Sequence, residues 1–258
     1  MVHQMYVWDG NGRNREVWNE EGTGQDPEQT DKGVEQTMTQ AEKDILKLIN
    51  DFHGGHSPYT IFSDWVTMLG LSISNTCALF HDKIWNDREE WYKSLAGKYQ
   101  PAEMTRFTEM NAYLVEALEE EMADILGGVF MLSGAGNGRL GQFFTPFHLS
   151  ELCAKLGLDE DRIRSEEKIT VNEPSTGGGG MIIATAKVLK DNGINYQKKM
   201  KVVAQDLDWL GVFMSYVQFS FLGINAIVAQ GDTLMEPYVK GYPEARVFRT
   251  PANKGVLI

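Results

Sequence analysis

The chain has 258 residues, with 24 basic and 36 acidic side chains and a formal net charge of −12. A protein that grips nucleic acid alone usually presents a basic face, so any such role here requires a local basic patch or a partner subunit. Hydrophobic residues make up 42% of the chain, which is ordinary for a soluble globular protein.

The sequence indicates neither a membrane-spanning segment nor a disulfide-stabilised fold. No apolar run approaches the length of a membrane span, and the first residues do not resemble a signal peptide. Cys77 and Cys153 are too few and too far apart for a disulfide framework or a zinc site. We therefore expect a cytoplasmic protein without a bound metal.

Residues 1–36 are predicted to form a hairpin followed by a flexible acidic linker. Asp9-Gly10 and Asn11-Gly12 are turn signals between two short apolar runs, Tyr6 to Trp8 and Val17-Trp18. The polar, glycine-bearing stretch that follows is typical of a linker.

Residues 37–135 are predicted to form a helical domain. Its clearest apolar stripe consists of Leu114, Leu118, Met122, Ile125 and Val129, and the opposite acids are interpreted as solvated: Glu116, Glu119, Glu120 and Asp124. We interpret the cluster of Trp85, Trp91 and Tyr92 as core, and His53 and His56 as loop residues, because adjacent glycines break the helix and no third metal ligand is near.

Residues 136–258 are predicted to form the next domain, which begins within a flexible joint, Ser133 to Arg139. Thr145 is suited to cap a helix and Pro146 to occupy its first position, so we expect the helix to continue through Leu156. The position of this helix, directly before a glycine-rich segment, makes it a candidate cover for a binding crevice.

The segment Glu173-Pro174-Ser175-Thr176-Gly177-Gly178-Gly179-Gly180 joins an apolar run, Ile169 to Val171, to a helix-forming run, Met181 to Leu189. This order predicts a strand, a glycine loop and a helix, the arrangement that holds nucleotide-like ligands. Taken alone, four glycines are weak evidence, because such a run is often only a flexible turn.

Two further apolar runs, Val202 to Asp206 and Ala226 to Asp232, alternate with helical segments and complete a βαβαβ pattern. An acid follows each run. Because the carboxyl ends of parallel strands share one edge of the sheet, we expect Glu173, Asp206 and Asp232 to converge on one ligand crevice.

Four segments together resemble the modification subunit of type I restriction-modification systems. They are Gly141-Gln142-Phe143-Phe144-Thr145-Pro146, Glu173 to Gly179, Ala204-Gln205-Asp206-Leu207-Asp208 and Gly231-Asp232-Thr233-Leu234. These subunits are S-adenosylmethionine-dependent methyltransferases that act on the exocyclic N-6 amine of adenine in DNA. The resemblance implies an α/β fold, with an N-terminal helical bundle followed by a partial Rossmann-like class I methyltransferase sheet in residues 136–258.

The resemblance also assigns cofactor-binding roles. Phe144, Thr145 and Pro146 would contact the methionine end of S-adenosyl-L-methionine, and Glu173 would bind its amino group. Gly177 and Gly179 would let that end approach the helix. Asp206 would accept hydrogen bonds from the ribose hydroxyls, and Leu207 would pack on the adenine ring. Asp232 would accept a hydrogen bond from the adenine amine. Pro174 is followed by Ser175 and Thr176 where the family has a small residue and Cys.

The family's catalytic motif, an Asn or Asp followed by two prolines and an aromatic residue, is not found. The nearest approach, Arg249 to Asn253, has one proline and no adjacent aromatic residue, so the catalytic residues are unknown. The methyltransferase domain is therefore expected to be truncated after its third strand. The unpaired edge of the first strand would then need to be covered. The cover could come from the apolar segments Val247-Phe248 and Gly255 to Ile258, within the chain or by exchange of these segments between two copies.

Three hypotheses follow. The first is a DNA adenine methyltransferase subunit that contacts DNA through a specificity subunit or a second methyltransferase subunit. The second is a catalytically inactive cofactor-binding regulator or assembly protein, encoded for example on a mobile element. The third, a methyltransferase for another substrate, fits the acidic charge but not the resemblance. A homo-oligomer follows if the strand edge is covered by exchange.

Overall fold

The computed structural model describes residues 6–7, 38–52, 55–134 and 144–255. The elements in chain order are β1 (Tyr6–Val7), α1 (Gln40–Asn50), α2 (Pro58–Thr76), α3 (Lys83–Ala96), α4 (Pro101–Glu120), α5 (Ile125–Leu132), α6 (Phe147–Gly157), α7 (Glu160–Ser165), β2 (Ile169–Glu173), α8 (Gly180–Asp191), α9 (Tyr196–Lys199), β3 (Met200–Asp206), α10 (Trp209–Phe221), β4 (Ala226–Gln230), a 3-10 turn (Glu244–Arg246), β5 (Val247–Arg249) and α11 (Pro251–Lys254). None of the described helices could cross a membrane.

The first three helices each begin at a capping residue. Thr39 and Glu42 form a reciprocal capping box at the start of α1. Ser57 caps α2 and is followed by Pro58, which occupies the first helical position without losing a hydrogen bond. Asp82 caps α3 by accepting from the backbone N–H of Trp85.

The apolar stripe predicted as one helix is divided between two. All five of its apolar residues are buried, but α4 ends at Glu120 and α5 begins at Ile125. Asp124, which we interpreted as a solvated acid, instead caps α5 by accepting from the N–H of Gly127 at 2.9 Å. The interpretation was wrong because the chain turns at residues 121–124 and redirects this carboxylate toward the sheet.

The sheet contains the predicted βαβαβ unit. Strands β2, β3 and β4 are parallel neighbours, and β1 and β5 pair antiparallel with the outer strands, giving the order β1-β2-β3-β4-β5. The predicted fold class, a helical region followed by a partial α/β sheet, is confirmed.

The strand edges are covered differently from our expectation. The β2 edge is paired by β1, with Tyr6 opposite Asn172 and Val7 opposite Val171. The segment that we expected there, Val247-Phe248, pairs instead with β4 at the other side of the sheet. An apolar run can pair with either edge, so the sequence alone could not choose. Val17-Trp18 and residues 256–258 lie outside the described residues.

Helix α10 lies at the centre of the molecule. Every residue from Leu210 to Ser220 is buried, as expected for a helix that is apolar on all sides. Its aromatic residues join the helical region to the sheet: Phe213 contacts Trp91 of α3 and Phe248 of β5, with ring centroids 5.4 and 5.0 Å apart. One continuous apolar core therefore supports the carboxyl ends of the strands.

Candidate functional site

The glycine loop between β2 and α8 is shaped by its own backbone. Thr176 N donates to the carbonyl of Gln205 at 3.0 Å, and Gly179 N donates to the carbonyl of Thr176 at 2.8 Å. Gly177 and Gly179 have φ values of +50° and +95°, which disfavour residues with a Cβ. The loop thus leads into the N-terminus of a twelve-residue helix, where backbone N–H groups favour anions and polar ligands.

Asp206, the last residue of β3, holds this loop. Its Oδ2 accepts from Gly177 N at 2.7 Å, and its Oδ1 accepts from Asp208 N at 2.9 Å. The pairing of Glu173 with Ala204 places Asp206 two residues further along its strand. With standard strand spacing, the Glu173 and Asp206 Cα atoms are roughly 8 Å apart.

Glu173, the last residue of β2, is 4% exposed. Its Oε1 accepts from Ser175 N at 3.1 Å. Burial, together with the nearby charge of Asp206, raises the pKa of Glu173 to about 8. Among the described residues no Lys, Arg or His forms an ion pair with it, so its charged form lacks a fixed cationic partner.

Asp232 lies on the loop after β4, not at the last residue of that strand. Its Oδ1 accepts from the N–H groups of Leu234 and Met235 at 2.9 and 3.3 Å and so shapes the turn. Two further bonds connect this loop to the others. Thr233 Oγ1 donates to the carbonyl of Pro174 at 2.7 Å, and Gly231 N donates to the carbonyl of Asp206 at 2.8 Å.

Leu207 follows Asp206 at the same edge of the sheet. It is 67% exposed, and its carbonyl accepts from Gln230 Nε2 at 2.8 Å. An exposed leucine fixed by its backbone presents an apolar surface next to Asp206.

The Phe144-Thr145-Pro146 turn packs directly on the glycine loop. A Cβ built on Gly177 would lie 2.8 Å from the Phe144 ring, and that ring packs on Phe130 with centroids 5.3 Å apart. The helix starts one residue later than predicted: Pro146 is the N-cap of α6, and Thr145 does not cap it. The carbonyl of Pro146 accepts from Leu149 N at 2.9 Å instead.

A cavity of about 30 Å³ lies beneath this turn, lined in part by Asp124, Thr145 and the glycines. Two buried hydroxyls in its wall, on Ser150 and Thr176, have no hydrogen-bond partner. This volume holds about one water molecule and cannot hold an adenosyl group. A larger ligand would therefore lie across the strand ends, outside this cavity.

Asp124 and Gln218 form a contact that sequence reasoning missed. Gln218 Nε2 donates to Asp124 Oδ1 at 2.8 Å and to the carbonyl of Gly178 at 2.7 Å, while Gln218 Oε1 accepts from Leu126 N at 3.1 Å. The buried Gln218 amide thus connects the start of α5 to the glycine loop. A capping Asp three residues before Gly127 was the one available signal, and the continuous apolar stripe concealed it.

Asn253 lies away from these acids. Its side chain donates to Asn225 Oδ1 at 2.8 Å, just before β4 begins, whereas the acids follow the carboxyl ends of the strands. Among the described residues no group of three or more His, Cys, Asp or Glu side chains is arranged to hold a metal ion. His53 lies outside the described part, and His56 packs on Tyr99 with ring centroids 4.9 Å apart.

Comparison with protein-family models gives a match to N-6 DNA methylase over residues 121–250, half of the chain. The chain belongs to the N-6 DNA methylase family. The matched region runs from the turn that carries Asp124, through the glycine loop and the three acids, to the end of β5. The resemblance to adenine-specific N-6 DNA methylases is thereby confirmed.

This N-6 DNA methylase family member is also similar to two solved structures. One is described as a class I S-adenosylmethionine-dependent methyltransferase from Listeria monocytogenes, with 10% identity, a TM-score of 0.47 and coverage of 78% of this chain and 56% of that one. The other is the methyltransferase subunit of a type I restriction-modification system from Streptococcus thermophilus, with 16% identity, a TM-score of 0.42 and coverage of 75% and 44%. The chain spans about half the length of these proteins. No curated protein matches it.

Proposed function

We propose that this N-6 DNA methylase family member binds S-adenosyl-L-methionine across the carboxyl ends of β2, β3 and β4. The observation that carries the proposal is the 2.7 Å hydrogen bond between Gly177 N and Asp206 Oδ2. It joins the glycine loop at a helix N-terminus to an acid at the end of the next strand, which is the combination that dinucleotide-type sites use.

The chemistry of the acids fits this cofactor. S-adenosyl-L-methionine carries an ammonium and a sulfonium, and Glu173 is a buried carboxyl with no ion-pair partner among the described basic residues. A cationic ligand would supply the missing partner and favour the ionised form. When bound, the cofactor supplies the methyl group.

The residue roles follow the positions described above. Glu173 binds the cofactor's amino group. The backbone of Gly177 and Gly179 lies against the methionine end of the cofactor. The Phe144 ring lies against Gly177, so Phe144, Thr145 and Pro146 would contact the same methionine end and cover it.

The adenosyl half lies over the next two strands. Asp206 accepts from the ribose hydroxyls as well as from Gly177 N, because one carboxylate can accept about four hydrogen bonds. Leu207 packs on the adenine, and Asp232 accepts from its amine. Pro174 and Ser175 complete the wall beside Glu173, with the Pro174 carbonyl held by Thr233.

The proposed substrate is the N-6 amine of adenine in DNA, within a cytoplasmic restriction-modification assembly of type I. A net charge of −12 supports contact with DNA through a specificity subunit or a second methyltransferase subunit. The eight prolines of the sequence include no adjacent pair, so the family's base-holding motif must come from elsewhere if methyl transfer occurs. We therefore expect no turnover by this chain alone.

A second candidate function is a catalytically inactive regulator or assembly protein that retains the cofactor site. The observation that favours it is the position of the Arg249 to Asn253 segment, where Asn253 is bonded to Asn225 before β4. A base held there would be distant from the glycine loop. Both candidates share the cofactor site and differ only in turnover.

Thermal unfolding with S-adenosylhomocysteine tests the shared proposal. A ligand that binds only the folded state raises the melting temperature, so we expect a saturable rise with this product and a smaller one with adenosine. No shift at millimolar concentration would overturn the proposal. Transfer of a tritiated methyl group to DNA, with and without added type I subunits, then separates the methyltransferase from the inactive regulator.

A further inference from the structure

A second cavity lies at the β5 side of the sheet, away from the glycine loop. Its volume is about 390 Å³, and it separates the α2–α3 connection from β5 and α11. Because β5 is antiparallel to β4, Arg249 pairs with Ile227 and α11 lies near the start of β4. The volume falls in the range of small-molecule sites.

Three basic side chains, Arg88, Arg249 and Lys254, and two acidic ones, Asp82 and Glu244, line this cavity. Arg249 forms an ion pair with Glu244 through two hydrogen bonds of 2.5 and 2.9 Å. Neither Arg88 nor Lys254 forms an ion pair with a carboxylate of the described residues. Two cations without paired acids are notable in a chain of net charge −12.

Arg88 is held in place by neutral partners. Its Nη1 donates to Ser74 Oγ at 2.7 Å and its Nη2 to the carbonyl of Val247 at 2.8 Å, while the guanidinium lies 4.2 Å from the Phe248 ring centroid. Its Nε is buried and has no hydrogen-bond partner. The guanidinium is therefore preorganised; burial lowers the pKa of Arg88, but an arginine side chain stays charged at neutral pH.

Lys254 adds a second positive group at the same cavity. Its Nζ donates only to the carbonyl of Cys77, at 3.3 Å, among the described hydrogen bonds. Burial of the ammonium lowers the pKa of Lys254, and the charges of Arg88 and Arg249 lower it further. The three basic groups thus lie close enough to repel one another, and an anion between them would relieve that repulsion.

The rim of the cavity is apolar and aromatic. Leu79 and Phe80 are 86% and 78% exposed. Trp85, which the sequence suggested as core, lines the cavity and stacks on His81 with ring centroids 4.0 Å apart. The exposed ring of Phe80 and the half-buried ring of Trp85, beside cations, are suited to a flat ring that carries a negative group.

We propose that this cavity binds a nucleoside phosphate, with the phosphate between Arg88 and Lys254 and the base against Phe80 and Trp85. The same chemistry is offered by a free nucleotide and by one nucleotide of a single strand. The site is separate from the cofactor site and does not depend on the function proposed above.

Calorimetry with thymidine 5′-monophosphate tests this assignment on the full chain. Saturating S-adenosylhomocysteine is present so that the proposed cofactor site is already occupied. The probe is a pyrimidine because the cofactor site is expected to prefer adenine. We expect saturable binding that Lys254→Gln weakens about tenfold through loss of a charge-assisted contact. Phe80→Ser, at an exposed position, should weaken it by removing the stacking surface.

The matched control is Lys93→Gln, which removes the same charge from an exposed lysine of α3 outside the cavity. Displacement of the probe by an oligothymidylate of about eight nucleotides assigns the site to a single strand, and failure to displace it assigns the site to a free nucleotide. Absence of saturable binding by both ligands, or equal binding by Lys254→Gln and Lys93→Gln, would overturn the proposal.

Discussion

The side-chain amide of Gln218 donates a 2.8 Å hydrogen bond to the carboxylate of Asp124, across 94 residues of sequence. The same amide holds the carbonyl of Gly178. A carboxylate at the start of α5 is thus connected through one buried side chain to the loop that we propose for cofactor binding. Burial raises the pKa of Asp124, while the bonds from Gln218 and Gly127 lower it.

Asp124→Ala should destabilise the protein by roughly 2 to 4 kcal/mol. It removes a helix cap, worth about 1 kcal/mol, and leaves one buried N–H of Gln218 without its acceptor, which costs about 1 to 3 kcal/mol. Asp82→Ala is the matched control, because Asp82 caps α3 at an exposed position without such a contact. Urea denaturation measures both. Equal losses in the two variants would mean that the Gln218 contact adds nothing.

Glu173 should make the protein less stable as the pH rises. Its folded pKa of about 8 lies above the ordinary value of 4.5, so between these values the folded state binds more protons than the unfolded state. Stability then falls with rising pH by up to about 1.4 kcal/mol per unit. Chemical denaturation from pH 5 to 8 should show this slope in the wild type. Glu173→Gln should flatten it, and an unchanged slope would contradict the buried carboxyl's role.

Gly179→Ala should destabilise the protein by roughly 2 to 4 kcal/mol. The new Cβ would lie 2.6 Å from the Phe219 ring, and φ is +95°, so strain and overpacking add. Gly193→Ala is the control, because φ is +71° there but nothing lies within 4 Å, and strain alone costs about 1 to 2 kcal/mol. Denaturation midpoints compare the two. If Gly193→Ala lowers the stability as much as Gly179→Ala does, the close contact with Phe219 contributes nothing to the loss.

Removal of residues 1–7 should promote self-association. The deletion takes away β1 and exposes the backbone of β2, and an unpaired strand edge is a template for another copy. Light scattering over a range of concentrations should show a growing mass for the deletion variant only. A constant mass, equal to that of the full chain, would show that the edge needs no such cover.

The local patterns of this sequence predicted its α/β unit well, because short apolar runs that end in Glu173 and Asp206 allow few other arrangements. Its long-range contacts were not predictable in the same way. The apolar stripe continues at helical spacing through the turn at Asp124, so periodicity alone could not detect the break. The pairing of Val247–Arg249 with β4, and the reach of Gln218 to Asp124, depend on tertiary packing that no local pattern encodes.

The central claim is that Asp206 and Glu173 belong to one S-adenosyl-L-methionine site, and calorimetric titration with this cofactor tests it most directly. We expect saturable binding by the wild type, weakened at least about tenfold by Asp206→Ala and by Glu173→Ala. Binding near pH 7 should also release a proton, because Glu173 ionises beside the ligand's ammonium. Absence of binding by the wild type at millimolar cofactor, or binding that neither substitution affects, would contradict the account.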